Sequence, residues 1–251
     1  MRKFKRVKKF IVDLLFPKFC FSCKKEGDWL CQDCFSLIEI SQLQFCPFCP
    51  GPVRVFEKGT CPKHRNKNLN GLYFATPYQN ELVQMLLKNF KYPPFLKGLA
   101  EPLSLLIIAY FLSEKKEAIF KDSKNSFLMP VPLTKQRMRW RGFNQAAEIA
   151  KLLAAFFKVN VQFNNLIKLK TTQPQVELKR EQREKNIRGA FQLKNAQAIR
   201  GKTIFLVDDV FTTGATMEEA ARVLKKAGAS EVWGIAVTRE PLLFGDSPLK
   251  R

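Results

Sequence analysis

The sequence predicts an α/β chain in which a parallel sheet with helices on both faces follows a small cysteine-rich module. Two observations carry this reading. All seven cysteines of the 251 residues lie between Cys20 and Cys61. From Gly71 onward, apolar runs of strand length alternate with amphipathic stretches of helix length, and a repeated β-α-β order closes as a parallel sheet. A hydrophobic fraction of 46% excludes wholesale disorder. The longest apolar stretch, Leu103 to Leu112, is far short of the roughly 18 residues of a membrane span. Asp13 interrupts the apolar patch that follows the basic start, and no small-residue cleavage site comes after it, so a secretory signal is not expected. The expected location is the cytoplasm.

In chain order, residues 1–16 read as a basic amphipathic arm. Arg2, Lys3, Lys5, Arg6, Lys8 and Lys9 surround Phe4, Val7, Phe10, Ile11, Leu14 and Leu15 at helical spacing. Such an arm either packs on its own domain or touches nucleic acid or a membrane surface.

Residues 17–70 read as a metal-ribbon domain. Cys20/Cys23, Cys31/Cys34 and Cys46/Cys49 are C-x-x-C pairs, and Cys61-Pro-Lys-His64 supplies a fourth pair that includes the chain's only histidine. Seven thiols and one imidazole are two complete tetrahedral sets, and knuckles of this spacing close structural zinc sites. A disulfide framework fits an odd cysteine count poorly. Two ligand pairings are open. Sequential pairing joins Cys20, Cys23, Cys31 and Cys34 at one ion and Cys46, Cys49, Cys61 and His64 at the other. Cross-bracing joins the first knuckle to the third and the second to the fourth. Sequential pairing is favoured, because two ribbons in tandem need no interleaving of the chain. Four protein ligands leave no position for substrate, so both ions are expected to be structural.

Residues 71–240 carry the sheet, and 241–251 form a tail. The expected elements are a strand at Leu72–Thr76, a helix capped by Asn80 with Leu82, Met85, Leu86 and Phe90 on one face, and a buried helix from Phe95 to Ser113. Then come a strand at Ser126–Val131, a helix from Asn144 to Phe157 and a strand at Val159–Phe163. A strand at Thr203–Val207, a helix at Ala215–Ala227 stopped by Gly228, and a strand at Glu231–Val237 complete the set.

The chemistry concentrates in Thr203-Ile-Phe-Leu-Val-Asp-Asp-Val-Phe-Thr-Thr-Gly-Ala-Thr216. An apolar strand ends in Asp208 and Asp209, and a Thr- and Gly-rich turn leads into a helix. Unpaired N–H groups and the dipole at a helix start favour a phosphate. Thr212, Thr213 and Thr216 add hydroxyls, Gly214 lets the backbone come close, and Ala215 opens the helix. Carboxylates at the strand's carboxyl end suit ribose hydroxyls, either directly or through Mg²⁺. A second strand end, Pro130-Val-Pro-Leu133, offers the backbone of Pro132 and Leu133 to a pyrophosphate, with Lys135, Arg137 and Arg141 to neutralise it. The polar stretch Lys168–Arg188 contains Lys168, Arg183 and Arg188 and reads as a lid over the leaving group or as an exposed connection.

The segment resembles the phosphoribosyl-pyrophosphate (PRPP) signature of type I phosphoribosyltransferases. The resemblance implies that Asp208 and Asp209 hold the ribose 2′- and 3′-hydroxyls and that residues 212–216 wrap the 5′-phosphate. Three further stretches are Leu14-Leu-Phe-Pro-Lys-Phe-Cys20, Pro130-Val-Pro-Leu133 followed by Arg141-Gly-Phe-Asn-Gln145, and Thr172-Gln-Pro-Gln175 followed by Arg188-Gly-Ala-Phe191. With them the chain is similar to the ComF family of competence-associated proteins, in which a zinc ribbon precedes a phosphoribosyltransferase-type domain. That implies PRPP as ligand, Mg²⁺ beside it, and a role in DNA uptake with competence-machinery partners. In hypoxanthine–guanine enzymes, an acid three residues after the acidic pair contacts the purine ring. Thr212 stands there in this sequence, which argues against that acceptor.

Charge points to a further partner. Lys and Arg number 43 against 22 Asp and Glu, a net charge of +21, and the excess falls on both parts of the chain: 14 basic to 6 acidic residues before Gly71, 29 to 16 after it. PRPP needs only a handful of cations, whereas single-stranded DNA accounts for a surplus of this size. Two functions therefore stand side by side: phosphoribosyl transfer from PRPP, and a non-catalytic single-strand-binding module that uses the same fold as a phosphate platform.

Overall fold

A computed structural model of the chain describes residues 17–55, 59–122, 124–169 and 187–240. The basic arm, the tail and Arg183, together with most of the stretch read as a lid, lie outside the described residues. Among those residues no helix is long and apolar enough to cross a membrane.

Five parallel strands form the sheet, in the order β1 (Gly71–Pro77), β7 (Glu231–Arg239), β6 (Thr203–Phe211), β2 (Ser126–Pro130) and β3 (Asn160–Val161). Alternation along the strands divides the interior into two cores. On one face Tyr73, Phe205, Val207, Trp233 and Ile235 meet helices α2 (Glu81–Lys91), α3 (Ala100–Ser113) and α5 (Gln145–Phe157). On the other, Leu72, Phe74, Ile204, Leu206 and Ala236 meet helix α6 (Ala215–Lys226) and a short antiparallel pair, β4 (Leu166–Lys168) with β5 (Phe191–Leu193). Helices on both faces are thus present.

The helices begin where the sequence provides caps. Asn80 accepts a hydrogen bond from the Val83 N–H, and Asn144 accepts one from the Ala146 N–H. The helix expected from Phe95 starts only at Ala100, after a 3₁₀ turn at Lys97–Leu99. Two short helices were not expected: α1 (Gln32–Ser36), inside the cysteine-rich module, and α4 (Lys135–Arg141), capped by Thr134 and stopped by Gly142 at φ +76°. The strand expected at Val159–Phe163 pairs only over Asn160–Val161, because β2 offers it only Phe127 and Leu128.

The sequential metal pairing is the one the fold adopts: the side chains of Cys20, Cys23, Cys31 and Cys34 converge in one group, and those of Cys46, Cys49, Cys61 and His64 in another. The two groups do not pack on each other. Cys20, Leu30, Cys31, Cys34 and Ile38 join the core on the α3 face, where Trp29 lies against Gly98. Cys46, Phe48, Cys49, Val55 and Cys61 join the core on the α6 face. The intervening chain passes the free edge of the sheet, where the Ser41 N–H donates to the Ala75 carbonyl at 2.8 Å. The metal modules thereby clasp the β1 edge from both sides.

Candidate functional site

Strand order decides where a ligand can sit. From β2 the chain runs outward through α5 to β3, and from β6 it runs the other way through α6 to β7. The β2/β6 boundary is a topological switch point, where loops diverge and leave a crevice at the carboxyl ends. A cleft of about 1030 Å³ opens there, lined by α2 along its length, the ends of β2 and β6, the helix Lys135–Arg141 and the starts of α5 and α6.

The acidic pair lies within paired strand, three and two residues before its end at Phe211. β6 separates from β2 after Val207, yet its pairing with β7 continues to Phe211 opposite Arg239. The strand expected to stop at Val207 is therefore longer on one side, and this holds Asp208 and Asp209 on rigid backbone beside the open crevice. Asp208 accepts from the Asp209 N–H at 2.9 Å. Asp209, almost fully buried, accepts from the Val210 N–H at 2.6 Å and pairs with the Lys91 ammonium at 2.9 Å. Burial, reinforced by the neighbouring Asp209, pushes the Asp208 carboxyl up to about 7, with Lys91 and Lys168 pulling the other way.

The turn after β6 is shaped by Phe211 and Gly214. Gly214 has φ +79°, and a Cβ there would meet the Phe211 ring at 2.5 Å, so glycine is required on both conformational and steric grounds. Thr212, Gly214 and Thr216 line the cleft. Thr213 and Ala215 do not line it: the Thr213 hydroxyl, half-buried, accepts from the Ala215 N–H at 3.4 Å, and Ala215 packs in the core. Across the cleft, Pro132 and Leu133 stand with Arg137 and Arg141. Asn144 fixes the end of β2 by donating from its side chain to the Val131 carbonyl at 3.0 Å. Arg141 donates to Gln145 at 3.0 Å, while its Nε is buried without a partner. Burial, then the adjacent Arg141, lowers the Arg137 guanidinium.

The cleft therefore gathers Asp208, Asp209, Thr212, Gly214, Thr216, Pro132, Leu133, Arg137 and Arg141. Two expected cations stand apart from it: Lys135 and Arg188 are exposed and do not line it. Two others enter. Lys168 lines it, held down to about 8 by burial and by Arg137. Lys91, which nothing in the sequence singles out, reaches Asp209 from the last turn of α2. It reads locally as an ordinary basic residue at a helix end, and only the strand order carries it to the acids.

The cysteine groups fit zinc. Ligand atoms within each group lie within 4.8 Å of one another, with measured separations of 3.5 Å for Cys23–Cys31 and Cys49–Cys61 and 3.3 Å for Cys61 to His64 Nδ1. A tetrahedral ion with Zn–S near 2.3 Å sets its sulfurs about 3.8 Å apart. All seven thiols are free of disulfides. Burial and the crowding of Cys61 and Cys46 push the Cys49 thiol up to about 12, a penalty that a divalent cation would reverse.

Residues 141–241 match the family model described as a phosphoribosyl transferase domain. The chain is 30% identical over 223 residues to competence protein ComFC of Bacillus subtilis, covering 86% of each protein. It is 25% identical over 236 residues to the DNA utilization protein YhgH of Escherichia coli O157:H7, covering 90% of this chain and 99% of that one. Identity to competence protein F of Haemophilus influenzae is 38% over 115 residues, 43% of this chain and about half (49%) of the relative.

Proposed function

Because the chain belongs to the ComF family, we propose that its switch-point cleft binds PRPP with Mg²⁺ and that this binding serves the handling of incoming DNA in the cytoplasm. The observation that carries the proposal is the convergence on one cleft of an acidic pair on rigid strand, a glycine-dependent turn at a helix start, and cations on the opposite wall. In this reading the turn from Thr212 to Thr216, Thr213 and Ala215 included, receives the 5′-phosphate on backbone N–H groups and hydroxyls. Asp208 and Asp209 accept from the ribose hydroxyls. Arg137, Arg141 and the backbone of Pro132 and Leu133 face the pyrophosphate, with the unpartnered Arg141 Nε as a donor in waiting.

Hard oxygen donors on adjacent residues are the chemistry Mg²⁺ takes, with substrate phosphates completing its shell. Asp208, whose carboxyl resists ionising beside Asp209, is the residue that would hold it. The ion would supply charge neutralisation on the departing pyrophosphate. The chain's own contribution is binding and orientation. It grips both ends of the sugar phosphate, so that the bond from ribose carbon 1 to the pyrophosphate oxygen faces the open mouth of the cleft. Lys91 meanwhile holds the Asp209 side chain in place through their 2.9 Å ion pair. Phosphoribosyl transfer is the reaction this arrangement suits.

The raised Asp208 carboxyl gives the proposal a pH signature. Below about 7 the group carries a proton in the empty cleft, and a ligand that needs the carboxylate must displace that proton. PRPP affinity measured by calorimetry with Mg²⁺ is expected to strengthen between pH 6 and pH 8, with a released proton that makes the observed heat depend on the ionisation enthalpy of the buffer. A flat profile would remove the ionised Asp208 from the site.

The net charge of +21 favours a second, compatible reading, in which the same chain binds single-stranded DNA without transferring anything. Single-strand affinity should then fall with salt at a log–log slope of about −0.7 per phosphate contacted. Affinity indifferent to salt would contradict a phosphate-tracking surface.

A further inference from the structure

The first turn of α6, which closes the phosphate turn, is held from behind by the second metal module. Glu218 is the residue whose N–H takes the Gly214 carbonyl at 2.8 Å, completing that turn. Its carboxylate faces away from the cleft and accepts three hydrogen bonds: from the Asn68 N–H at 2.9 Å, the Asn68 side-chain amide at 2.8 Å and the Leu69 N–H at 3.0 Å. Asn68 and Leu69 lie four and five residues beyond His64. A second tie runs from the same module to the end of β7. The Arg239 guanidinium donates to the Cys49 carbonyl at 2.8 Å in a buried contact, and the adjacent Glu240, which lines the cleft, donates its N–H to the Phe211 carbonyl at 2.8 Å. Phe211 is the ring on which Gly214 rests. The module thus reaches the turn by two routes, from chain segments about 150 and 190 residues away in sequence.

Among the described residues the first metal module has no such connection. It lies in the other core, against α3. An acid on the first turn of a helix would ordinarily add negative charge next to an incoming phosphate. Three donors from Asn68 and Leu69 hold this carboxylate away from the cleft and offset its charge.

We infer that Glu218 is a positioning residue through which the Cys46/Cys49/Cys61/His64 module sets the phosphate turn, so that this metal site and the sugar-phosphate site are coupled while the Cys20 site is not. This deepens the proposed function and rests on it for the identity of the ligand. Coupling between two sites is reciprocal. A grip that orders the turn therefore also makes a ligand on the turn retain the metal behind it.

Two measurements on the full, zinc-loaded chain test this. The first is amide hydrogen exchange over residues 212–218 in wild type, Glu218→Ala, Glu218→Gln and Asn68→Ala. Protection of the turn is expected to fall about tenfold in Glu218→Ala and by less in Asn68→Ala, which keeps both backbone donors. In Glu218→Gln, which keeps the oxygen that accepts from Asn68, it should fall less. All variants should keep two zinc equivalents. The second is the rate of zinc transfer to a chromogenic chelator with and without PRPP. PRPP should slow the release of one of the two ions several-fold in wild type and by markedly less in Glu218→Ala, where only the tie through Arg239 remains. Wild-type protection in Glu218→Ala would overturn the inference, as would a bound PRPP that slows both ions or neither. A wild type that gives no heat with PRPP would instead sink the ligand assignment, and the exchange data would still decide on the coupling.

Discussion

Asp208→Asn is expected to raise the melting temperature of the ligand-free protein while weakening PRPP binding. The two effects have one cause. A carboxyl held near 7 in the fold but near the ordinary 3.9 in the unfolded chain is harder to ionise when folded. The folded state then binds the extra proton between those values, so stability falls as pH rises from about 4 to 7 and stays reduced above. Asparagine keeps the shape and an oxygen that can accept the Asp209 N–H, and it relieves the repulsion from Asp209. At pH 8 the variant should melt higher than wild type, and at pH 4 the gap should close. Binding should move the other way, because a hydrogen bond to a charged acceptor is worth ~1.5–3 kcal/mol. With Asp209→Asn added, PRPP affinity should fall by at least about 100-fold. The second substitution carries a structural cost the first does not, since it strips Lys91 of its partner. The single variant is therefore the cleaner test. A melting temperature that falls in Asp208→Asn at pH 8 would mean that the acid is there to hold the fold.

Loss of either metal site should be the most damaging change to stability. Structural zinc contributes roughly 10–16 kcal/mol in small zinc-finger peptides, comparable with the ~5–15 kcal/mol that holds an ordinary domain together. Here the ligands are also core residues: Cys34 belongs to the apolar cluster under α3, and Cys61 to the one under α6. Cys34→Ser and Cys61→Ser are each expected to retain one zinc equivalent. Even a partial loss of ~4 kcal/mol would lower the melting temperature by about 10 °C for a chain of this size. Chelator should destabilise the wild type in the presence of a reducing agent, and the reducing agent alone should not. The reverse pattern would replace metal with disulfides. Two zinc equivalents lost together from Cys34→Ser would show that the sites form one unit.

Both halves of the molecule were legible where the signal is local. The knuckles and the Thr203–Thr216 stretch each carry their chemistry within a few residues, so spacing alone exposes the ligands and the strand–acid–turn–helix order. Long apolar helices such as α3 announce themselves in the same way. What stayed hidden depends on contacts far apart in sequence. Lys91 acquires its role only because α2 ends beside β6. Asp208 and Asp209 lie inside a paired strand because β7 outlasts β2 as a partner of β6, and an apolar run that stops at Val207 does not reveal this. The placement of the metal modules on opposite faces follows from the path past the β1 edge. Helix α4 is short, arginine-rich and exposed, so it lacks the apolar face by which helices are read. Thr134 and Gly142 mark its ends nonetheless. Proximity to Arg137 in sequence points Lys135 to the site, yet on a helix of this pitch neighbouring side chains point in different directions.

In the proposed function the crevice at the carboxyl ends of β2 and β6 grips a sugar phosphate. A crystal structure of the zinc-loaded chain with PRPP and Mg²⁺ tests it most directly. The expected result has the 5′-phosphate on the turn from Thr212 to Thr216, the ribose hydroxyls within hydrogen-bond distance of Asp208 and Asp209, and the pyrophosphate against Arg137 and Arg141. A crevice left empty under saturating PRPP, or the ligand bound elsewhere with the Lys91–Asp209 pair and the turn untouched, would contradict it.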